Sequence, residues 1–430
     1  MNKKPSTLPP TLAIMAKETY DYRWMRIFCL GTHYNLIIGQ SGGATAVINA
    51  SLVGAFEAAR QETRIHDIYG MWYGIQGLLQ EDFVDLRRQP AHLWPELMRT
   101  PSAALGSCRY KLQEEDPARA IEIFRRYDIH AMLYIGGNDS ADTVHRIAQA
   151  AQAQNYDLQA ISIPKTIDND LPLTDHCPGY GSAARFIALA TMDSTMNTLS
   201  MPWHYPVKII ETMGRDSGWL TAAAALGKRD ESDAPHILLL PEQPFNSERY
   251  LVQVEETYRR FGYAVVVAAE TVRDERGQPL GAAGQVGTDA FQHPLLSGTA
   301  QYLVELVKKH LKLRARFDKP GDLQRMASFC VSHVDRAEAY QVGQAGTHAA
   351  LAGETDKMVV LQRQDEPRYH CTTGLATLSE IANAQRSLPE SFLGQDKTMI
   401  TPAFLDYALP LIGEPLPAYP RLEHARINRI

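Results

Sequence analysis

The sequence predicts an α/β fold: two related lobes with mostly parallel sheets. Three observations carry this. Short apolar runs alternate with helix-like segments of small residues, Gly-Gly turns recur between the two, and 430 residues exceed what one core usually organises. YNLIIG, from Tyr34, reads as a buried strand and leads into SGGATAVINASLVGAFEAAR, whose spaced apolar positions suit a helix. IHAMLYIGG runs into the helix NDSADTVHRIAQAAQ, and LQAISIP runs through a polar loop into GSAARFIALATMDSTM. VKIIETMG leads to RDSGWLTAAAALG, and HILLLPE precedes a helix containing Arg249 to Arg260, followed by the strand YAVVVAAE. This alternation implies right-handed crossovers, with ligands at the carboxyl ends of the strands. Asp274 to Gln292 is Gly-rich and aperiodic, hence a loop, and Phe317 to Asp322 is expected to be a second one. Asp335 to Gly353 reads as a helix, KMVVLQR as a strand and Leu375 to Arg386 as a helix. The predicted division is an extension over 1–33, a lobe over 34–175 with part of the C-terminal region, and a second lobe with C-terminal elements over 176–430.

Charge and cysteine content narrow the function. The net charge is −6 and no block of Lys or Arg occurs, which argues against generic nucleic-acid binding. An anionic ligand must then be met by locally placed Arg, Lys and backbone N–H groups. Cys29, Cys108, Cys177, Cys330 and Cys371 are scattered, odd in number and without C-x-x-C spacing. Neither a disulfide framework nor a zinc site is indicated, and a cytoplasmic location fits. No apolar run reaches the length of a membrane span, and the first residues, basic with a weak apolar stretch, suit an arm better than a signal peptide. Met25 offers an alternative start.

The unusual residues cluster in loops after strands. Gly39-Gln40-Ser41-Gly42-Gly43 can bring backbone N–H groups and a helix N-terminus to a phosphate, although a plain strand-to-helix turn would look the same. Gly136-Gly137-Asn138-Asp139-Ser140 repeats that shape with an acid at the helix start. Asp139 is either an N-cap or, beside phosphate, a sign of Mg²⁺ or of steric exclusion of a larger donor. Pro164-Lys165-Thr166-Ile167-Asp168-Asn169-Asp170 is the strongest signal, because two carboxylates and a lysine directly after an apolar strand are seldom packing residues. One Asp can take a proton from a hydroxyl, another can hold Mg²⁺, and Lys165 can neutralise phosphate oxygens. Met213-Gly214-Arg215-Asp216-Ser217-Gly218-Trp219 places an Arg at a helix start, suited to a phosphate or to a structural salt bridge. Thr100 to Tyr110 is a further Gly/Ser loop that ends in Arg109.

Taken in order from about Asn35 to about Glu242, these loops resemble the phosphofructokinase family: an SGG turn, LGS-x-R, GG-x-D-S, TIDND, an MGR loop and a Pro-Glu pair. Further on, Gln324-Arg325 and Asp335 to Tyr340 (D-x-x-EAY) are similar to the longer, pyrophosphate-using branch. The resemblance implies two Rossmann-like lobes, the first binding the phosphoryl donor and the second a sugar phosphate. It implies Asp168 as the base for the sugar C1 hydroxyl, with Lys165, Thr166 and Arg215 around the moving phosphoryl group. Gly42, Gly43, Arg109, Gly137, Asp139 and Ser140 are then donor contacts. Met213, Gly214, Glu242, Arg325 and either Arg314 or Arg316 then serve the sugar phosphate. Asn138 and Asp170 hold Mg²⁺. ATP-using members resemble GGDGS and PGTIDND, with glycines where this chain has Asp139 and Lys165. A carboxylate and a lysine there crowd out a nucleotide, which points to pyrophosphate.

Two departures stand out. Asn138 replaces an acid, and Pro206, flanked by His204 and Lys208, stands where many members carry an Arg that reaches a neighbouring subunit. The implied substrates are pyrophosphate and fructose 6-phosphate, with neither nucleic acid nor membrane as partner, in a homodimer or homotetramer. Rival readings are another acceptor such as sedoheptulose 7-phosphate, ATP as donor, or a non-catalytic regulatory subunit. A nicotinamide-dependent enzyme is disfavoured because no complete dinucleotide fingerprint follows a strand.

Overall fold

Strands β1 (Tyr34–Gln40), β2 (Ile65–Met71), β3 (Phe83–Asp85), β4 (Ile129–Gly136) and β5 (Gln159–Pro164) begin the first sheet. β1, β4 and β5 are nearly unbroken apolar runs, as expected for parallel strands covered on both faces. Helices α1 (Ile48–Gln61), α2 (Gly74–Gln80), α3 (Leu93–Leu97), α4 (Asp116–Arg126) and α5 (Asn138–Ala153) connect them. The long α6 (Tyr180–Ser200) leads to a second sheet of β6 (Val207–Thr212), β7 (Ile237–Leu239), β8 (Ala264–Ala269) and β9 (Ala315–Asp318). Its connections carry α7 (Trp219–Ala223), α8 (Ser247–Phe261) and α9 (Thr299–His310). The short α10 (Leu323–Met326) follows β9. Helix α8 shows its boundaries in sequence: Asn246 accepts from Arg249 N at 2.9 Å, and Gly262 ends the helix in the left-handed region at φ 79°. The chain then returns to the first sheet through α11 (His333–Leu351), β10 (Lys357–Arg363) and β11 (Cys371–Thr377), and ends with α12 (Pro402–Ala408).

This computed structural model describes residues 34–281, 298–382 and 384–422. The expected extension over 1–33 and the part of the expected loop from 282 to 292 lie outside the described residues. The first sheet has seven strands in the order β11-β10-β5-β4-β1-β2-β3, and only β2–β3 and β10–β11 pair antiparallel. The second has the order β7-β8-β6-β9 and is parallel throughout. The α/β expectation with mostly parallel sheets therefore holds. Among the described residues no helix is long and apolar enough to cross a membrane, and Cys108, Cys177, Cys330 and Cys371 are free thiols.

Two sequence expectations are corrected. Leu375 to Arg386 is not a helix: Leu375 pairs with Val359 in β11, and only Leu378–Glu380 forms a single 3₁₀ turn. The β-branched Thr372, Thr373 and Thr377 favour a strand, and β10 offers them a partner along its whole length. The expected loop at Phe317 begins later, because Phe317 and Asp318 still pair with Ile209 and Ile210.

Helix α11 packs against α1, covering the first sheet. Thr347 Oγ1 donates to the Ala55 carbonyl at 2.9 Å and Tyr340 OH to Glu57 at 2.6 Å. The two backbones approach so closely that a Cβ on Gly54 would fall on the Tyr340 carbonyl oxygen. A rigid backbone atom cannot yield as a side-chain end could. Gly54→Val should therefore lower stability by about 1–3 kcal/mol through overpacking. Thermal unfolding checks this, and an unchanged midpoint would show that the helices can separate freely.

Candidate active site

Parallel register places the loops. Gln40 at the end of β1 pairs with Ile135 of β4, and Gly136 pairs with Pro164 of β5. The three loops that follow therefore emerge side by side. In the second sheet Thr212 pairs with Ala269 and Ile210 with Asp318, which aligns the loops after β6, β8 and β9. The two sets of loops enclose one cavity of about 380 Å³. It gathers Gly42, Gly43, Arg109, Gly137, Asn138, Asp139, Ser140, Lys165, Thr166, Asp168, Asp170, Met213, Arg215 and Arg325 from segments far apart in the chain. Gly42 turns the first loop at φ +73°, a conformation other residues seldom adopt. Arg325 reaches across from α10, so that a Cβ on Gly43 would lie 2.5 Å from its Nη1.

Lys165 and the two aspartates form the electrostatic centre. Lys165 is 3% exposed, and its Nζ donates to the Gly43 carbonyl at 2.8 Å. Burial pushes its pKa down to about 8; the Asp168 carboxylate opposes this, while the cations Arg325, Arg215 and Arg109 add to it. Burial raises the Asp168 carboxyl above the usual range, opposed by Arg215, Lys165 and Arg325. Arg215 Nε lies 3.8 Å from Asp168 Oδ2. Asp170 is pushed up to about 7, first by burial and then by the Asp168 charge. Asp168 N donates to Thr166 Oγ1 at 3.1 Å, which orients the threonine hydroxyl beside the carboxylate. Arg325 pairs with Asp322 at 2.9 Å on the cavity wall.

The donor set suits a hard cation. Asn138 Nδ2 donates to Asp170 Oδ2 at 3.3 Å, while Asn138 Oδ1 is buried without a hydrogen-bond partner. An orphaned amide oxygen and a buried carboxylate are hard oxygen donors of the kind Mg²⁺ prefers.

Three expected residues stand elsewhere. Glu242 does not line the cavity; its Oε1 accepts from Gly218 N at 2.8 Å and Leu388 N at 2.9 Å. It follows β7, the edge strand, whereas the cavity is built by the loops after β6, β8 and β9. Arg314 is exposed and precedes β9, at the end of the sheet opposite the cavity. Neighbouring Arg316 lies over the Tyr205 ring at 3.3 Å. Gly214 does not itself line the cavity but turns the backbone between Met213 and Arg215, which do, at φ +133°.

The residues that sequence reasoning missed are Asp216, Glu270, Thr271, Arg273, Pro279 and Asp322. Most follow β8, a strand recognised as YAVVVAAE, so the rule of looking just past strand ends would have found Glu270 and Thr271. Glu270 is pushed up to about 7 by burial, then by Asp168 and Glu211. The Thr271 hydroxyl donates to the carbonyl of Arg215, which sits in the left-handed region at φ 51°. Arg273 pairs with Asp216 at 2.9 Å.

A phosphofructokinase family model matches residues 35–350. The chain is 39% identical over 394 residues to a pyrophosphate--fructose 6-phosphate 1-phosphotransferase of Halomonas elongata, covering 90% of this chain and 94% of the relative. It is 40% identical over 393 residues to the enzyme of that name from Methylococcus capsulatus, covering 90% and 93%. The solved structure of a pyrophosphate-dependent phosphofructokinase from Marinobacter aquaeolei is similar with a TM-score of 0.81 and 37% identity, over 91% of this chain and 94% of that one. Matches spanning both lobes, with the cavity residues assembled from the motifs that first suggested it, place the chain in the phosphofructokinase family.

Proposed function

We propose that the protein transfers a phosphoryl group reversibly from pyrophosphate to the C1 hydroxyl of fructose 6-phosphate, giving fructose 1,6-bisphosphate and phosphate. The observation that carries this reading is Lys165, buried in the same cavity as Asp168 and hydrogen-bonded to the Gly42-Gly43 turn. An ammonium there suits a small, highly charged donor and occupies space a nucleotide would need. Asp139 in the same wall adds a charge that repels a longer polyphosphate. The relatives named above act on pyrophosphate and fructose 6-phosphate by their names, which supports the same substrates here.

The chain's residues divide the work. Asp168 accepts the C1 hydroxyl proton as the oxygen attacks the nearer phosphorus, and the bridging P–O bond breaks to release phosphate. Lys165, Arg109 and Arg215 hold the charge spread over the moving group. Thr166 stands beside it, and the turns at Gly42-Gly43 and Gly137 to Ser140 offer backbone and hydroxyl donors to the pyrophosphate. Arg325 takes the sugar's distal phosphate, Met213 shapes the sugar site, and Glu270, on the cavity wall, binds sugar hydroxyls. Asn138 and Asp170 would hold Mg²⁺, which when bound supplies positive charge to the pyrophosphate oxygens. The work is positioning and electrostatics, with no covalent intermediate on the protein. The lobe of β1 to β5 binds the donor and the lobe of β6 to β9 the sugar phosphate. A cytoplasmic place in glycolysis or gluconeogenesis follows from the substrates. In a homodimer or homotetramer, Trp203, 91% exposed, and Phe329, 81% exposed, are candidate contact residues.

Purified protein with magnesium and fructose 6-phosphate should form fructose 1,6-bisphosphate with pyrophosphate and far more slowly with ATP. Equal or faster use of ATP would overturn the donor assignment. Asp168→Ala should lower kcat by about 10²–10⁴-fold with little change in the sugar KM, the range for loss of a general base. A variant within a few-fold of the parent would remove Asp168 as the base.

Glu270→Gln should raise the fructose 6-phosphate KM by about tenfold, the worth of one charged hydrogen bond, and leave the pyrophosphate KM near its starting value. The reverse pattern would assign Glu270 to the donor.

The pH dependence follows from Lys165. Its folded-state pKa is lowered, so it is charged below about 8 and neutral above, and the cavity loses positive charge as pH rises. kcat/KM for pyrophosphate should therefore fall above that pH, while Lys165→Arg, whose guanidinium stays protonated, should lack this limb. Comparing the two profiles isolates the lysine from the donor's own ionisation, and identical alkaline limbs would rule it out as the titrating group.

A further inference from the structure

Arg386 lies in the segment after β11, outside the cavity and outside every motif that identified the site. Its side chain nevertheless converges on the carboxylate loop. Nη1 donates to the carbonyls of Thr174 at 2.7 Å and Asp175 at 2.6 Å. Nη2 donates to the Asn169 carbonyl at 2.8 Å, and Nε to the same oxygen at 3.3 Å. Its backbone N–H donates to the Asp170 carbonyl at 2.7 Å. One residue thus holds four carbonyls between 169 and 175, and two of these belong to the residues directly after Asp168.

That stretch needs an external brace. Asn169, between the two carboxylates, sits in the left-handed region at φ 57°. Its side chain is also committed: Oδ1 accepts from Cys177 N at 3.0 Å and Nδ2 donates to Tyr407 OH at 2.9 Å. The backbone carbonyls of 169 and 170 fix how the neighbouring peptide planes, and so the Asp168 and Asp170 side chains, are aimed. Arg386 also touches the residue that follows the Arg215 loop. Its guanidinium lies 4.6 Å from the Trp219 ring centroid, and Trp219 Nε1 donates to the Arg386 carbonyl at 3.4 Å. Trp219 begins α7, directly after the loop that carries Arg215. Two residues on, Leu388 N is tied to Glu242, which also holds Gly218 N. A planar fork of five donors can serve the Asn169, Thr174 and Asp175 carbonyls together, whereas an ammonium cannot match the same directions.

We propose that Arg386 is a positioning residue for phosphoryl transfer, clasping the Asn169–Asp175 backbone to the Trp219 end of the Arg215 loop so that base and phosphate-gripping arginine keep their mutual geometry. The proposal rests on the reaction assigned above, and it implies a specific kinetic signature. Substrates still meet the same binding groups, but the acceptor oxygen and its base are misaligned in the transition state.

The test compares full-length Arg386→Lys and Arg386→Gln with the parent enzyme, using pyrophosphate, fructose 6-phosphate and magnesium. Thermal unfolding and circular dichroism measure the folded fraction. The expected result is a kcat about 10²-fold lower per folded molecule, the cost of a small misplacement, with both KM values within about threefold of the parent. Lys, which can reach some of the carbonyls, should lose less than Gln. A kcat per folded molecule within about twofold of the parent, or a loss confined to KM, would overturn the proposal. Failure of both variants to fold would also overturn it, because the residue would then serve the fold rather than the reaction. Absence of activity in the parent enzyme would instead count against the assigned reaction, so the two failures are distinct.

Discussion

The charge balance around Lys165 is the constraint on which the site rests. An ammonium 3% exposed is stable only among groups of opposite charge, and Asp168 supplies one. Asp168 is itself buried, and its proximity pushes Asp170 further from ionisation. Asp168 could not approach ionisation without Arg215, Lys165 and Arg325 around it, nor Asp170 without Arg215 and Arg386. Nor could three cations gather so closely without the carboxylates. Removing one member shifts the ionisation of the others.

Such a cluster can form only where backbone from both sheets converges. β1, β4 and β5 end in register, which brings the Gly42-Gly43 turn, the Asn138 helix start and the Lys165 loop into contact. The second sheet aligns β6, β8 and β9 and brings Arg215, Glu270 and Arg325 to meet them. The return of the chain through α11, β10 and β11 then closes the first sheet and carries Arg386 back to the carboxylate loop. The cavity thus draws on residues from 42 to 325, and a local stretch of chain contains too little of it to act alone.

Much of this was legible in the sequence because local pattern and global position agree there. The apolar runs ending at Gly39, Gly136 and Pro164 are strands for the reason that makes them readable: both faces are buried. The polar residues just beyond them stand out by contrast. Legibility failed where neighbours in the sheet decide the outcome. Glu242 and Glu270 both follow apolar strands and look equivalent in sequence. Only the order β7-β8-β6-β9, with β7 at the edge, separates the glutamate that braces Gly218 from the one that faces the cavity. Arg314 and Arg325 flank the same strand, and which of them meets the cavity depends on strand direction. Leu375 became a strand residue because β10 presented a partner, a long-range fact that periodicity does not contain.

The same reasoning bears on the donor. Asp139 lies one residue past Asn138, whose buried amide oxygen lacks a partner, and Lys165 lies three residues before Asp168. Both substituents of interest are therefore built into the segments that carry the proposed catalytic and cation-holding groups. A change of donor would have to alter charge within the cluster that keeps Asp168 and Asp170 balanced. Replacing Lys165 by glycine would open space for a larger donor and at the same time remove a compensating cation. Donor choice and catalytic competence are coupled through that one ammonium. A switch of donor in this framework requires a second change that restores positive charge elsewhere in the cavity.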